Sequence, residues 1–138
     1  MASRNSIIRF SLPLRVQTSK KKSFILNMNV MRTAYFRTLS TAKKRYSEIV
    51  IKQAPDIKYK IERCDIKIKL FPKTRRRADL SNACSVCDKF MCDALTDKGY
   101  WDDDTYLVIP KVMYEFGEVD KDNPRFDIEI TVKKKALN

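Results

Sequence analysis

An α+β fold is predicted: one domain in which a mixed sheet carries two helices packed on one face. Three observations point to it. Apolar residues alternate near both ends and in the middle of the chain, as strands require. Two other stretches repeat them at helical spacing. The 138 residues suffice for one modest core, with two glycines and five prolines arguing against a low-complexity chain. The predicted order is β-α-β-α-β-β, with residues 1–5 and 134–138 frayed.

Ile7 to Leu14 is a short apolar run, read as the first strand, and the basic loop Lys20-Lys21-Lys22 follows it. That loop is either a solvated turn or a phosphate contact. From Ser40, a plausible N-cap, Ala42, Tyr46, Ile49 and Val50 fall on one helical face until Pro55 closes the segment. Ile57 to Phe71 alternates like a strand, but its phase shifts from odd to even positions. A bulge near Glu62-Arg63 reconciles the halves.

The second helix places Ala83, Cys87, Phe90 and Ala94 on one face, with Ser85, Lys89, Cys92 and Thr96 opposite. Gly99 suits its C-terminus. Leu107 to Phe116 reads as a strand interrupted by Pro110. Glu118 to Asn123 reads as a turn, and Phe126, Ile128, Ile130 and Val132 alternate as the last strand.

Charge is divided unevenly. Residues 1–78 hold 21 lysines and arginines against 4 acids; residues 79–138 hold 8 against 13. A basic half beside an acidic cluster suits a chain that binds a polyanion and positions metal on it; the bland alternative is a basic, solvated surface. No run of 18 apolar residues exists to span a membrane, and Arg9 and Pro13 break the early apolar run that a secretory leader would need. The acid-poor early chain resembles an organellar transit peptide in composition, but Ile7 to Val16 reads as folded strand, and the cytoplasm is expected.

The chain has no histidine, which excludes Ser-His, Cys-His and histidine acid–base mechanisms. Cys84 and Cys87 form a C-x-x-C pair, but Cys64 and Cys92 complete no familiar zinc spacing. Reduced, partly buried thiols are expected. No small-molecule organic cofactor is expected.

The stretch from Arg75 to Tyr106 carries the chemistry. A triple arginine runs into Asp79, a helical segment holds Asp88, Lys89 and Asp93, and Asp102, Asp103 and Asp104 follow Trp101. Carboxylates from separate elements bracketed by cations are what a magnesium-dependent phosphodiesterase needs, because hard divalent ions take oxygen ligands and phosphate needs positive charge around it. Arg75, Arg76 and Arg77, with Lys73 and the Lys20–Lys22 loop, are candidate contacts to DNA phosphates.

Arg75 to Asp79, Asn82, Asp88-Lys89-Phe90, Asp93-Ala94-Leu95, Gly99, Trp101 and Asp103-Asp104 together resemble the RusA family of Holliday-junction endonucleases, and more closely a branch carried by phages and prophages. The upstream Leu12-Pro13-Leu14-Arg15, Lys20 to Lys22, Leu26-Asn27, Asn29 and Arg37-Thr38 are similar to that branch too. The resemblance implies a homodimeric endodeoxyribonuclease of recombination and repair, with one or two Mg²⁺ ions, acting on branched DNA in a bacterial host's cytoplasm if phage-encoded.

It assigns metal ligation to Asp79 and to the Asp103-Asp104 pair, with Asp104 aligning to the ligand, and places Lys89 near the scissile phosphate. Asp102 is read as solvated or supporting, and Trp101 as a core anchor. Better-known members carry a second acid two residues after the first, where this chain has Ser81. Asp88 is therefore assigned the missing charge. Nine helical residues span roughly 13 Å, against about 4 Å between paired metals, so this assignment requires Leu80 to Cys84 to fold back from the helix. The alternative function is a non-catalytic binder of branched or single-stranded DNA with a degenerate metal site.

Overall fold

The computed structural model describes residues 6–75 and 79–136. β1 (Ser6–Leu12) leads into a small hairpin, β2 (Arg15–Gln17) with β3 (Ser23–Ile25), and a short helix α1 (Met28–Thr33). Then come α2 (Phe36–Gln53), β4 (Lys60–Phe71), α3 (Leu80–Lys98), β5 (Lys111–Phe116) and β6 (Arg125–Ala136). The main sheet has the order β1-β6-β4-β5. β6 pairs antiparallel with both β1 and β4, while β4 and β5 run parallel. α3 is the crossover that a parallel pair requires. The α+β class and the mixed sheet are as the sequence predicts, with the β2–β3 hairpin and α1 inserted after β1.

Alternation builds the core. Ile66, Ile68 and Leu70 of β4 and Phe126, Ile128, Ile130 and Val132 of β6 are buried on the helix side of the sheet, and β4 and β6 register these residues side by side. The register shifts between Ile61 and Cys64, so the expected bulge is present. It returns Ile61 to the buried side with Cys64. Tyr46 is fully buried on α2, and its hydroxyl donates to the Pro13 carbonyl at 2.9 Å, tying the helix to the end of β1. Gly99 ends α3 at φ +90°, a conformation glycine adopts without Cβ strain. Trp101 is a core anchor whose Nε1 donates to Thr96 Oγ1 at 2.7 Å.

Several boundaries differ from the sequence reading. α2 starts at Phe36, so Ser40 lies inside the helix and does not cap it. Tyr35 stands at the N-cap and makes no side-chain capping bond, so no capping residue marks the true start. β1 stops at Leu12, before Pro13. β4 begins at Lys60, not Ile57. β5 begins at Lys111, because Thr105 to Val108 forms a turn in which Val108 N donates to Thr105 O. β6 continues to Ala136, so residues 134–136, expected to fray, are paired, Ala136 with Lys60. The expected fraying of residues 1–5, 137 and 138 lies outside the described residues.

A candidate acidic site between α3 and β5

α3 is continuous from Leu80 to Lys98. The fold-back of Leu80 to Cys84 does not occur, and Asp79 and Asp88 are therefore separated by roughly 13 Å along the helix. They cannot share an ion in this structure. Asp79 is the N-cap residue of α3, exposed, with no capping bond from its carboxylate; Asn82 Nδ2 approaches its Oδ2 at 3.5 Å.

Asp88 sits on the α3 flank that faces β5. Its Oδ1 accepts from the Cys92 thiol at 3.1 Å and its Oδ2 from the Tyr114 hydroxyl at 3.0 Å. Cys92, placed by spacing opposite the Ala83–Ala94 face of α3, is buried, because α3 is wedged between α2 and the β4–β5 edge of the sheet. Burial pushes the Cys92 thiol far above its ordinary range, and the Asp88 charge adds to that. The same two causes, in the same order, raise Tyr114. Both groups therefore stay protonated donors toward Asp88 at neutral pH.

Asp104 approaches the same place from the loop after Trp101. Its backbone N–H donates to Asp103 Oδ1 at 2.9 Å. Desolvation raises its carboxyl above the usual range, partly offset by its own backbone amide; Asp103 and Asp93 raise it further. Ser85, Asp88, Lys89, Cys92, Asp104, Ile109 and Val112 line one open depression of about 180 Å³. Lys89 is exposed and forms no ion pair among the described residues. Ser85 Oγ is buried there without a hydrogen-bond partner among the described residues.

Of the expected site residues, Asp88, Lys89 and Asp104 thus meet, Asp103 adjoins them, and Asp79 stands apart. Asp102 turns away to Lys60 Nζ. Among the described residues, no three acidic or cysteine side chains gather as a metal cage. The donor set still suits magnesium, which is commonly held by one or two carboxylates while keeping several waters. Asp88 and Asp104 supply the carboxylates, and the Ser85 hydroxyl, without a partner among the described residues, is a further polar atom in the same depression. All four cysteines are free and buried, and burial raises Cys64 and Cys84 to about 12, so they are inert core thiols at neutral pH.

No model of a known protein family matches the chain, and no curated protein matches it.

Lys20, Lys21 and Lys22 form the exposed tip of the β2–β3 hairpin, where Thr18 N donates to Lys22 O at 3.0 Å and Gln17 Nε2 to Lys20 O at 3.1 Å. Lys73 and Arg75 are exposed beyond the end of β4. Arg76 and Arg77 lie outside the described residues. Two site residues escaped the sequence reading. Tyr114 had a signal in β5 alternation, which sets it on the same side as Ile68. Ser85 had none beyond lying one helical turn before Lys89.

Proposed function

We propose that this chain is a magnesium-dependent endodeoxyribonuclease acting on branched DNA, such as four-way junctions, as its resemblance to the RusA family implies. One observation carries the reading: two carboxylates from separate elements, Asp88 and Asp104, share an open depression with Lys89, a cation without an ion pair among the described residues. The basic first half of the chain supplies the surface for a polyanion.

Asp88 and Asp104 would hold the ion, with Asp103 beside them. When bound, magnesium supplies Lewis acidity toward a phosphate oxygen and activates water at neutral pH. Lys89 places a compact positive charge where an entering phosphate gathers negative charge. Tyr114 and Cys92 fix the orientation of the Asp88 carboxylate. Asp79 is not carried into this metal set, because the unbroken helix holds it at the other end of the segment. The hairpin lysines and Arg75 to Arg77 are assigned to phosphate contacts, which position DNA without reading sequence. A homodimer would match the near two-fold symmetry of a four-way junction.

A second reading has its own support. Ser81 stands where the better-known members of the RusA family carry an acid, and both Asp88 oxygens already accept protein hydrogen bonds. A chain so built could bind branched DNA without cutting it. One experiment separates the two: incubation of purified protein with a synthetic four-way junction and a linear duplex, with and without Mg²⁺. Metal-dependent nicking of the junction supports the nuclease. Equal, metal-independent binding with no nicks at any Mg²⁺ concentration leaves the binder.

A further inference from the structure

We propose that β5 is the dimerisation edge: a second copy of this chain adds its own β5 antiparallel, with Met113 on the two-fold axis. β5 is the outer strand of the sheet beside β4, and Val112, Met113 and Phe116 are 39%, 42% and 56% exposed along it. An open edge strand with apolar side chains and no proline, bulge or inward charge within it is a template for another strand.

The backbone restricts how that strand is read. Gly117 N donates to Leu70 O at 2.9 Å, so Gly117 bonds toward β4. Hydrogen-bonding direction alternates along a strand. Val112, Tyr114 and Phe116 therefore direct their N–H and C=O groups outward. In an antiparallel pair, only outward-directed residues exchange bonds with each other, which leaves few registers. One sets Val112 opposite Tyr114 of the second copy as a hydrogen-bonded pair, Met113 opposite Met113, and Lys111 opposite Glu115.

Charge selects this register. The solvent side of the sheet carries a row of ion pairs, Arg9–Glu129, Glu129–Lys67 and Lys67–Glu115, that runs across the strands and ends at β5. Lys111, on the same side, makes no ion pair among the described residues. The register gives each Lys111 the other copy's Glu115, so the row continues across the axis. Opposite charges directly across a pair favour the register, and sliding either strand by two residues loses both contacts. Val112 also lines the acidic depression, and Tyr114 holds Asp88. The pairing therefore sets the two depressions side by side, both on the helix side of one continuous sheet.

The identity of the partner as a second copy draws on the homodimer of the proposed function, while the choice of edge uses only β5. The test needs neither DNA nor metal. Met113→Cys puts a thiol on the axis at a non-hydrogen-bonded position, where Cα atoms lie about 4.5 Å apart, within reach of a disulfide. The four native cysteines are buried, so background oxidation is low. Ile7→Cys, on the opposite edge strand β1, and Lys133→Cys, on central β6, are the controls.

Under mild oxidation, Met113→Cys is expected to run as a covalent dimer on non-reducing gels, with both controls monomeric. Met113→Asp is expected to convert a dimer into a monomer by sedimentation, with an unchanged far-UV circular dichroism spectrum. A monomeric wild-type protein, cross-linking at Ile7→Cys, or Met113→Cys no more cross-linked than Lys133→Cys overturns the proposal. A dimer joined at β5 that never nicks DNA would leave this interface standing and remove the nuclease. An active monomer would do the reverse.

Discussion

Replacing Tyr114 with phenylalanine removes one hydroxyl from the wall of the acidic depression and leaves the ring. That hydroxyl donates to Asp88 Oδ2 at 3.0 Å from a half-buried position. A hydrogen bond to a charged acceptor contributes about 1.5–3 kcal/mol. Partial exposure reduces that to roughly 1 kcal/mol, which lowers Tm by about 3–5 °C in a domain of this size.

The expected effect on activity is larger and of a different kind. Partners that orient a metal-ligating group are worth about 10–100-fold in metal affinity or activity. Tyr114→Phe is therefore expected to need about 10–100-fold more Mg²⁺ for half-maximal nicking of a four-way junction, while approaching the wild-type rate when Mg²⁺ saturates. Asp88→Asn is the companion. It removes ligand charge, and a loss of several kcal/mol lowers nicking at least ~100-fold at every Mg²⁺ concentration. The assay is a Mg²⁺ titration of single-turnover nicking beside a thermal melt of each variant. A Tyr114→Phe protein with a lowered Tm and an unchanged Mg²⁺ titration would confine Asp88 to a structural role and remove it from the site.

Asp104→Asn is expected to abolish nicking yet raise the Tm of the metal-free protein at neutral pH. A carboxyl raised in the folded state costs stability as an anion. That deficit is present above the folded pKa and vanishes as pH falls below the unfolded value, so a Tm gain that persists under acid would refute the assignment. Asp79→Asn is expected to keep nicking within about tenfold of wild type, since Asp79 does not line the depression; abolition in a junction-cleavage assay would show that the start of α3 and the depression act together on DNA. Replacing Arg75, Arg76 and Arg77 with alanine is expected to flatten log K against log salt by roughly one unit per lost phosphate contact, alike for junctions of different sequence. Gly117→Ala sets a Cβ 2.6 Å from the Phe71 ring, and overpacking of that kind costs about 1–3 kcal/mol. Urea midpoints test it, and an unshifted midpoint would mean that the ring moves freely, against the Arg125 guanidinium stacked 4.0 Å from its centre.

What was legible in the sequence follows from how far each signal reaches along the chain. The alternation of β6, the phase break in β4 and the Gly99 stop are local properties of backbone and side chain, and each appears where the sequence places it. The β2–β3 hairpin was missed because three-residue strands are too short to alternate visibly. The start of α2 was missed because its N-cap, Tyr35, makes no side-chain bond to announce it.

The candidate site is harder to read because it is a product of registers. Asp88 meets Tyr114 only because α3 crosses from β4 to β5 and β5 then pairs in parallel with Ile68 opposite Tyr114. A one-residue slip would turn Tyr114 to the solvent face and leave Asp88 with one donor fewer. The resemblance supplied Asp79, and assigning Asp88 the charge missing at Ser81 then paired the two across a helix that does not break. Asp79 stands at the N-cap of α3 and Asp88 nine residues further on, and that length of helix carries Asp79 away from the acids it was expected to join. Distance along a continuous helix is fixed by its rise. Spacing along a helix therefore decides which of its carboxylates can share an ion: it sets Asp79 apart from Asp88, and the proposed ion site rests instead on the depression that Asp88 lines with Asp104.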